Sequence, residues 1–507
     1  MDNMEKAPVP EGAAQPAQKA PRIYEITPGS RIFLAGTLAF CLLLVNAVFW
    51  PWGMGNTVTV FAWYILLLPA MGREALFRRR ESRVLLTVNL LLAVSYALTS
   101  NPLFRLWNFL ALALLVPVHA ASLADGELLP WWRPAMLWER LGLLCRGVFC
   151  HLGAAPAALS AERGKKRLSL TVVLGAASAL ALVSVLLPIL ASADALFAAA
   201  TRGLTEFIRL HFARGLWKLF WGLVLTPFVF GMLYCLRHVP AKAGKHVIYT
   251  VDGALFAIIL GALDALYLLF LAVQSAGLFG GPEYLARQGI SYADWARSGF
   301  FQMVGVTIVN LAAAAAAATF SQQEGRRWRA VRILATALTG ESLVLLASAA
   351  WRMTLYVSAY GLSFKRLMTY WGMVMMALFL LAALEKVWRP DRSFCRRAFP
   401  LALAGWLVIN CVPVDYLVAK NQVDRYLSGE SPTLSVHYLA YSLSYDTLSQ
   451  LARLDPELPL AACEGDWWGS QKMAGSLLES RRQEARADCA DWRSWNLSAC
   501  LAAGQGR

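Results

Sequence analysis

Charged side chains are scarce in this chain, at 16% of 507 residues, where soluble domains carry about 25%. Set beside repeated apolar runs of about 20 residues, the deficit excludes a water-soluble multi-domain protein. Histidine is rare too: the six copies form no recognisable catalytic pair. The sequence has no Walker A loop, no G-x-S-x-G elbow, no H-E-x-x-H helix and no Gly-rich dinucleotide fingerprint, which argues against a familiar hydrolase. It also lacks any C-x-x-C pair. Cys145, Cys150 and His151 cluster on an apolar helix, without the loop geometry or the fourth ligand of a zinc site. No metal and no cofactor is therefore expected. The leaning is away from an enzyme.

What is present reads as an all-α polytopic membrane protein whose first partner is the lipid bilayer. Eleven spans are predicted: 32–50, 57–72, 84–100, 103–122, 168–190, 215–236, 248–274, 299–320, 331–351, 367–387 and 398–413. Only Ser100-Asn101-Pro102 separates the third from the fourth, so that pair either crosses fully or forms a re-entrant hairpin. The net charge of +15 raises nucleic acid as a partner. The basic residues, however, fall between apolar runs, as topology signals and anionic-lipid contacts do, so nucleic acid is set aside. Arg73, Arg78–Arg80 and Arg83 follow span two, Arg163 to Arg167 precede span five, Arg326 to Arg332 follow span eight, and Lys386 to Arg397 follow span ten. These loops share one side with the N-terminus, whereas, counting loops along the chain, the first has no Lys or Arg and the third only Arg105. The positive-inside rule then places the N-terminus in the cytoplasm and the C-terminus outside.

The expected organisation follows. Residues 1–30 are a disordered cytoplasmic tail rich in Pro, Ala and Gln. Residues 31–413 form the transmembrane domain. Within it, 123–167 is a cytoplasmic interfacial segment with Trp131, Trp132 and Trp138, while 191–214 and 275–298 are extracytoplasmic loops. Amphipathic stretches occur at 193–212 and 290–302. Residues 414–507 form a small extracytoplasmic helical region, with Trp467, Trp468, Trp492 and Trp495 available for a core. One disulfide is expected among Cys463, Cys489 and Cys500, with the pairing open. Asn496-Leu497-Ser498 matches a glycosylation sequon.

The chemistry-bearing stretch runs from Glu341 to Arg366. At about 100° per residue, Glu341, Ser348 and Arg352 fall within roughly 40° on one helical face, and Tyr356 and Tyr360 extend it. A carboxylate inside a bilayer is costly and marks a site or a partner. Asp264 is a second such acid, in span seven. Arg352, Lys365 and Arg366 are candidate contacts for an anion or a lipid phosphate. Gln302, Asn310 and Asn410 are uncharged polar groups of the kind that bridge helices.

Several stretches in order resemble a known family: LPILASADALFAAA (187–200), YADWARSGFFQM (292–303), WRMTLYVSAYGLSFKRL (351–367), the 420–451 segment and DWRSWNLS (491–498). They are similar to bacterial polytopic membrane proteins of the domain-of-unknown-function families DUF4153 and DUF4173. The resemblance implies a multi-pass protein of the bacterial cytoplasmic (inner) membrane and carries over no activity. The expected function is a transport component, or an envelope or signalling component, with an outward-facing polar pocket and an envelope partner on the tail. The alternatives are an enzyme on a lipid-linked substrate at the outer leaflet, and a scaffold. Sequence sets no oligomeric state.

Overall fold

A computed structural model describes residues 24–27, 29–48, 51–159, scattered positions between 179 and 201, 213–240, 250–279, 300–460, 463 and 473–504. Among them the chain is helical and forms no strand. The helices are α1 (Gly29–Ala47), α2 (Met54–Met71), α3 (Arg73–Arg78), α4 (Arg80–Leu98), α5 (Pro102–Ser122), α6 (Ala135–Cys150), α7 (Ala154–Leu159), α8 (Ala213–His238) and α9 (Gly253–Phe279). They continue as α10 (Phe300–Phe320), α11 (Gly325–Tyr360), α12 (Phe364–Trp388), α13 (Phe394–Cys411), α14 (Val414–Leu427), α15 (Leu448–Leu451), α16 (Ala474–Ala490) and α17 (Leu497–Gly504).

Eight of the described helices are long and apolar enough to cross a membrane: α1, α2, α4, α5, α8, α9, α11 and α12. A ninth span forms if α13 and α14, bent by 49°, are taken together. Helices cover ten of the eleven predicted spans, with α10 and α13 below that mark on their own. The fifth predicted span, the amphipathic stretches 193–212 and 290–302, Trp467, Trp468 and most of the 1–30 tail lie wholly or mostly outside the described residues. The tight link between α4 and α5 has a local cause. Asn101 Oδ1 accepts from Phe104 N at 2.8 Å and Pro102 opens α5, a strong N-terminal signal. With 19 and 21 residues, both helices can span fully.

The helices sort into two packed groups. In the first, α1, α2, α5, α6 and α8 share a core around Phe40, Trp63, Leu67, Leu144 and Leu233. In the second, α9 and α10 pack on α11, with Leu260, Ala317, Val331 and Leu338 between them. Helix α13 contacts both α4 and α12 and joins the groups. Asn108 Nδ2 donates to Asn410 Oδ1 at 2.8 Å, and Trp406 Nε1 donates to Asn108 Oδ1 at 2.7 Å. In hydrocarbon such polar stitches fix register, because sliding would strand them. Helix α6, expected at a membrane interface, lays one face on α8 and leaves Trp138 76% exposed on another.

Two opposite ends result. The arginine-rich turns after α2, α10 and α12 lie at one end. At the other, the tail docks on the α1–α2 and α4–α5 turns and on the α11–α12 turn. Met54 N donates to Trp495 O at 2.9 Å and Gly55 N to Arg493 O at 3.1 Å. Asn101 Nδ2 and Ser444 N both donate to Asp415 Oδ2, at 2.7 and 2.9 Å. The tail core around Val418, Leu439 and Leu448 takes in Phe104, Phe364 and Ile409 from the spanning helices. Cys489 pairs with Cys500, while Cys463 is buried outside that bridge. Asn496 is fully buried and caps α17, its Oδ1 accepting from Ala499 N at 2.8 Å, so the sequon is spent on structure.

Candidate functional site

The site is assembled from three helices. Asp264 and Tyr267 come from α9, Asn310 from α10, and Glu341 and Ser342 from α11. Spacing of three puts Asp264 and Tyr267 on one face of α9, whereas Glu341 and Ser342 point about 100° apart on α11 and are both buried. All five are buried, Asn310 and Ser342 completely. Asp264 and Glu341 lie close enough to interact as charges, and Tyr267 lies beside Asn310. Asn310 Nδ2 donates to Ser342 Oγ at 2.9 Å, and that hydroxyl donates onward to Leu338 O at 2.6 Å.

The cluster is short of donors. Both oxygens of Asp264, Oε2 of Glu341 and Oδ1 of Asn310 are buried with no hydrogen-bond partner among the described residues. An unmatched buried acceptor costs about 1–3 kcal/mol, and more when charged. No Lys or Arg forms an ion pair with either acid among the described residues. Depth compounds the cost. Asp264 is at the centre of the apolar Gly253–Val273 window. At 1.5 Å per residue, Glu341 is about 24 Å from the start of α11 and about 28 Å from its end. Two carboxylates within electrostatic reach of one another at that depth disfavour the doubly ionised state.

The predicted stripe on α11 divides into parts. Glu341, Ser348 and Arg352 do share the buried face. A span of 331–351 would end just before Arg352. Helix α11 instead runs to Tyr360, which leaves Arg352 buried, two turns inside the helix end and about 16 Å from Glu341 along the axis. Tyr356 is half-buried and Tyr360 is 54% exposed. Their rings lie 4.9 Å apart, and the Arg366 guanidinium sits over Tyr356 at 4.2 Å. Arg366 also donates to Tyr360 O at 2.9 Å and to Gly361 O. It closes the end of α11, so it is committed to structure, while Lys365 stays exposed. Gly361 is needed at that turn: its φ is +74°, and a Cβ would stand 2.9 Å from Gln422 Nε2. Tyr267 and Ser342 were not among the sequence candidates. Tyrosine and serine are ordinary in spans, and only the pairing with Asn310 distinguishes them.

These helices and their buried polar cluster define a multi-pass integral membrane protein. The chain belongs to the family described as Domain of unknown function (DUF4153), whose model matches residues 86–454, well over half of its length. No curated protein and no solved structure matches it.

Proposed function

We propose that the chain is a proton- or cation-coupled transport component of a bacterial cytoplasmic membrane, with Asp264 and Glu341 as the coupling pair. The observation that supports this reading is the set of four buried acceptor oxygens with no donor, at mid-depth on packed spanning helices. A structural bridge would hydrogen-bond an Arg, Lys or amide to an acid; neither Asp264 oxygen nor Glu341 Oε2 has such a partner among the described residues. Loading one proton or a small monovalent cation satisfies the site, and releasing it restores repulsion between α9 and α11. That makes the helix pair a natural two-state element. In this reading the N-terminus is cytoplasmic, and the polar face of α11 leads through Ser348 and Arg352 toward an outward-facing tail.

Labelling with dicyclohexylcarbodiimide, a membrane-permeant reagent for protonated carboxyls, tests this directly. Modification of Asp264 or Glu341 should be found by peptide mass spectrometry, should fall as pH rises, and should be lost at the changed position in Asp264→Asn or Glu341→Gln. Protection by sodium or potassium at fixed pH would identify a metal cation as the coupling ion. A pair that never reacts, with unchanged proton release on acid-to-base titration in both variants, would overturn the reading.

A further inference from the structure

The arginine-rich end holds a cavity that neither the carboxylate pair nor the tail explains. It has a volume of about 570 Å³ and lies between the start of α4, the start of α13 and the Trp131–Trp132 turn. Arg80, Arg392, Arg396 and Arg397 line it, along with the carboxylate Glu81. Glu385 neutralises part of this charge: it pairs with Arg392, and Arg397 Nε reaches its Oε2 at 3.1 Å. Arg80 and Arg396 are exposed and form no ion pair with an acid among the described residues. Two guanidinium groups therefore face the cavity with donors to spare.

Its walls are built rather than incidental. Ser393 Oγ donates to Trp132 O at 3.2 Å, tying the turn to the start of α13. Trp131 packs on Phe399 with ring centroids 5.8 Å apart, and the Arg396 guanidinium lies 5.2 Å from the centre of the Trp132 ring. Below the arginines the lining turns apolar, with Val84 and Leu85 on α4 facing Leu403 on α13. Both helices run on into the apolar layer. A ligand that fits must carry an anionic oxygen cluster at one end and hydrocarbon at the other. Guanidinium forks suit phosphate oxygens, and paired tryptophans suit the headgroup level of a bilayer.

We propose that this cavity is a binding site for an anionic phospholipid. Arg80 and Arg396 hold its phosphate, and its acyl chains run along the α4–α13 seam. The site is in the leaflet on the arginine-rich side and does not depend on the carboxylate pair. It places a lipid where α13 joins the two helix groups, so occupancy bears on how they are held together.

The test uses the purified full-length protein in detergent, with phosphatidylglycerol and phosphatidylcholine of the same chain length, read by native mass spectrometry. The expected result is that the wild type retains phosphatidylglycerol about tenfold over phosphatidylcholine, and that Arg80→Gln with Arg396→Gln removes most of this preference. Arg326→Gln with Arg329→Gln, also at the basic end but off the cavity, should leave it intact. Equal retention of the two lipids by the wild type would overturn the proposal without reference to any variant. So would full retention in the Arg80 and Arg396 variant. Displacement of the lipid by an equal concentration of glycerol phosphate would overturn the acyl-chain part and leave a soluble phosphate site.

Discussion

Asp491 shows how a single surface acid helps to seat the tail. Its carboxylate accepts from Arg493 Nε at 3.1 Å and from Arg493 Nη2 at 2.6 Å, and its Oδ1 also accepts from Arg493 N. The Arg493 side-chain hydrogen bonds, followed by the backbone one, hold the Asp491 carboxyl below the usual carboxylate range. The Arg493 carbonyl in turn receives Gly55 N at the start of α2. A carboxyl depressed in the folded state contributes stability that is present above its unfolded value of about 3.9 and lost as pH falls through the folded one. Both side chains are about one-third exposed, so the contribution is at most about 1 kcal/mol. Hydrogen exchange at the Met54 and Gly55 amides should therefore quicken as pH drops below about 4, after correction for intrinsic rates. Asp491→Asn should flatten that dependence while leaving exchange within α11 unchanged. Equal pH dependence in the variant would remove Asp491 from the account.

Residue-scale legibility was uneven for physical reasons. Glu341 and Asp264 announced themselves because an acid in an apolar run has no cheap explanation. Their pairing did not: helical periodicity gives the face a residue occupies and says nothing about which helix, 77 positions away, will cover it. Arg366 read as an anion contact because charge is visible in sequence, whereas the carbonyls of Tyr360 and Gly361 that claim it are not.

At the scale of elements, close approach is carried by glycine. Where α6 crosses α8, a Cβ on Gly147 would stand 2.8 Å from Met232 Cα, and one on Gly231 would stand 2.8 Å from His151 O. Small residues at such crossings let helix backbones meet, the main source of attraction between helices in lipid. Gly147→Val should force the helices apart and cost about 1–3 kcal/mol, read as a lower melting temperature in detergent. Gly142 lies on the same helix with nothing within 4 Å of its Cβ position. Gly142→Ala should be neutral or gain up to about 1 kcal/mol from helix propensity. If both variants melt alike, close packing of α6 on α8 is not what holds this element. Helix type was readable here from apolar periodicity. The length of α11 was not: its 36 residues pass through Arg352 without a break and leave that side chain buried two turns inside the helix end.

For the whole molecule, the decisive feature is the separation of two unlike ends. The arginine-rich loops gather at one end, and at the other the tail mixes acids with its arginines and carries the Cys489–Cys500 bridge. Charge alternation from loop to loop was legible because it is a one-dimensional pattern. The docking of residues 493–498 on the α1–α2 and α4–α5 turns was not, since it joins positions some 400 residues apart through backbone groups and the Ser100–Ser498 hydroxyl pair. Cys463 is buried and so reports poorly on sidedness. Better reporters are Glu430, 62% exposed in the tail, and Arg329, exposed near the start of α11. Retention of arginine loops in the cytoplasm predicts that Glu430→Cys reacts with a membrane-impermeant maleimide in intact cells. Arg329→Cys should react only after permeabilisation, each measured against the wild type with its native exposed thiols Cys145, Cys150 and Cys411. The reverse pattern would invert the molecule, moving the lipid cavity to the outer leaflet and the tail to the cytoplasm. Reaction of both positions in intact cells would contradict the two-ended architecture itself, because the structure puts at least one spanning helix between them.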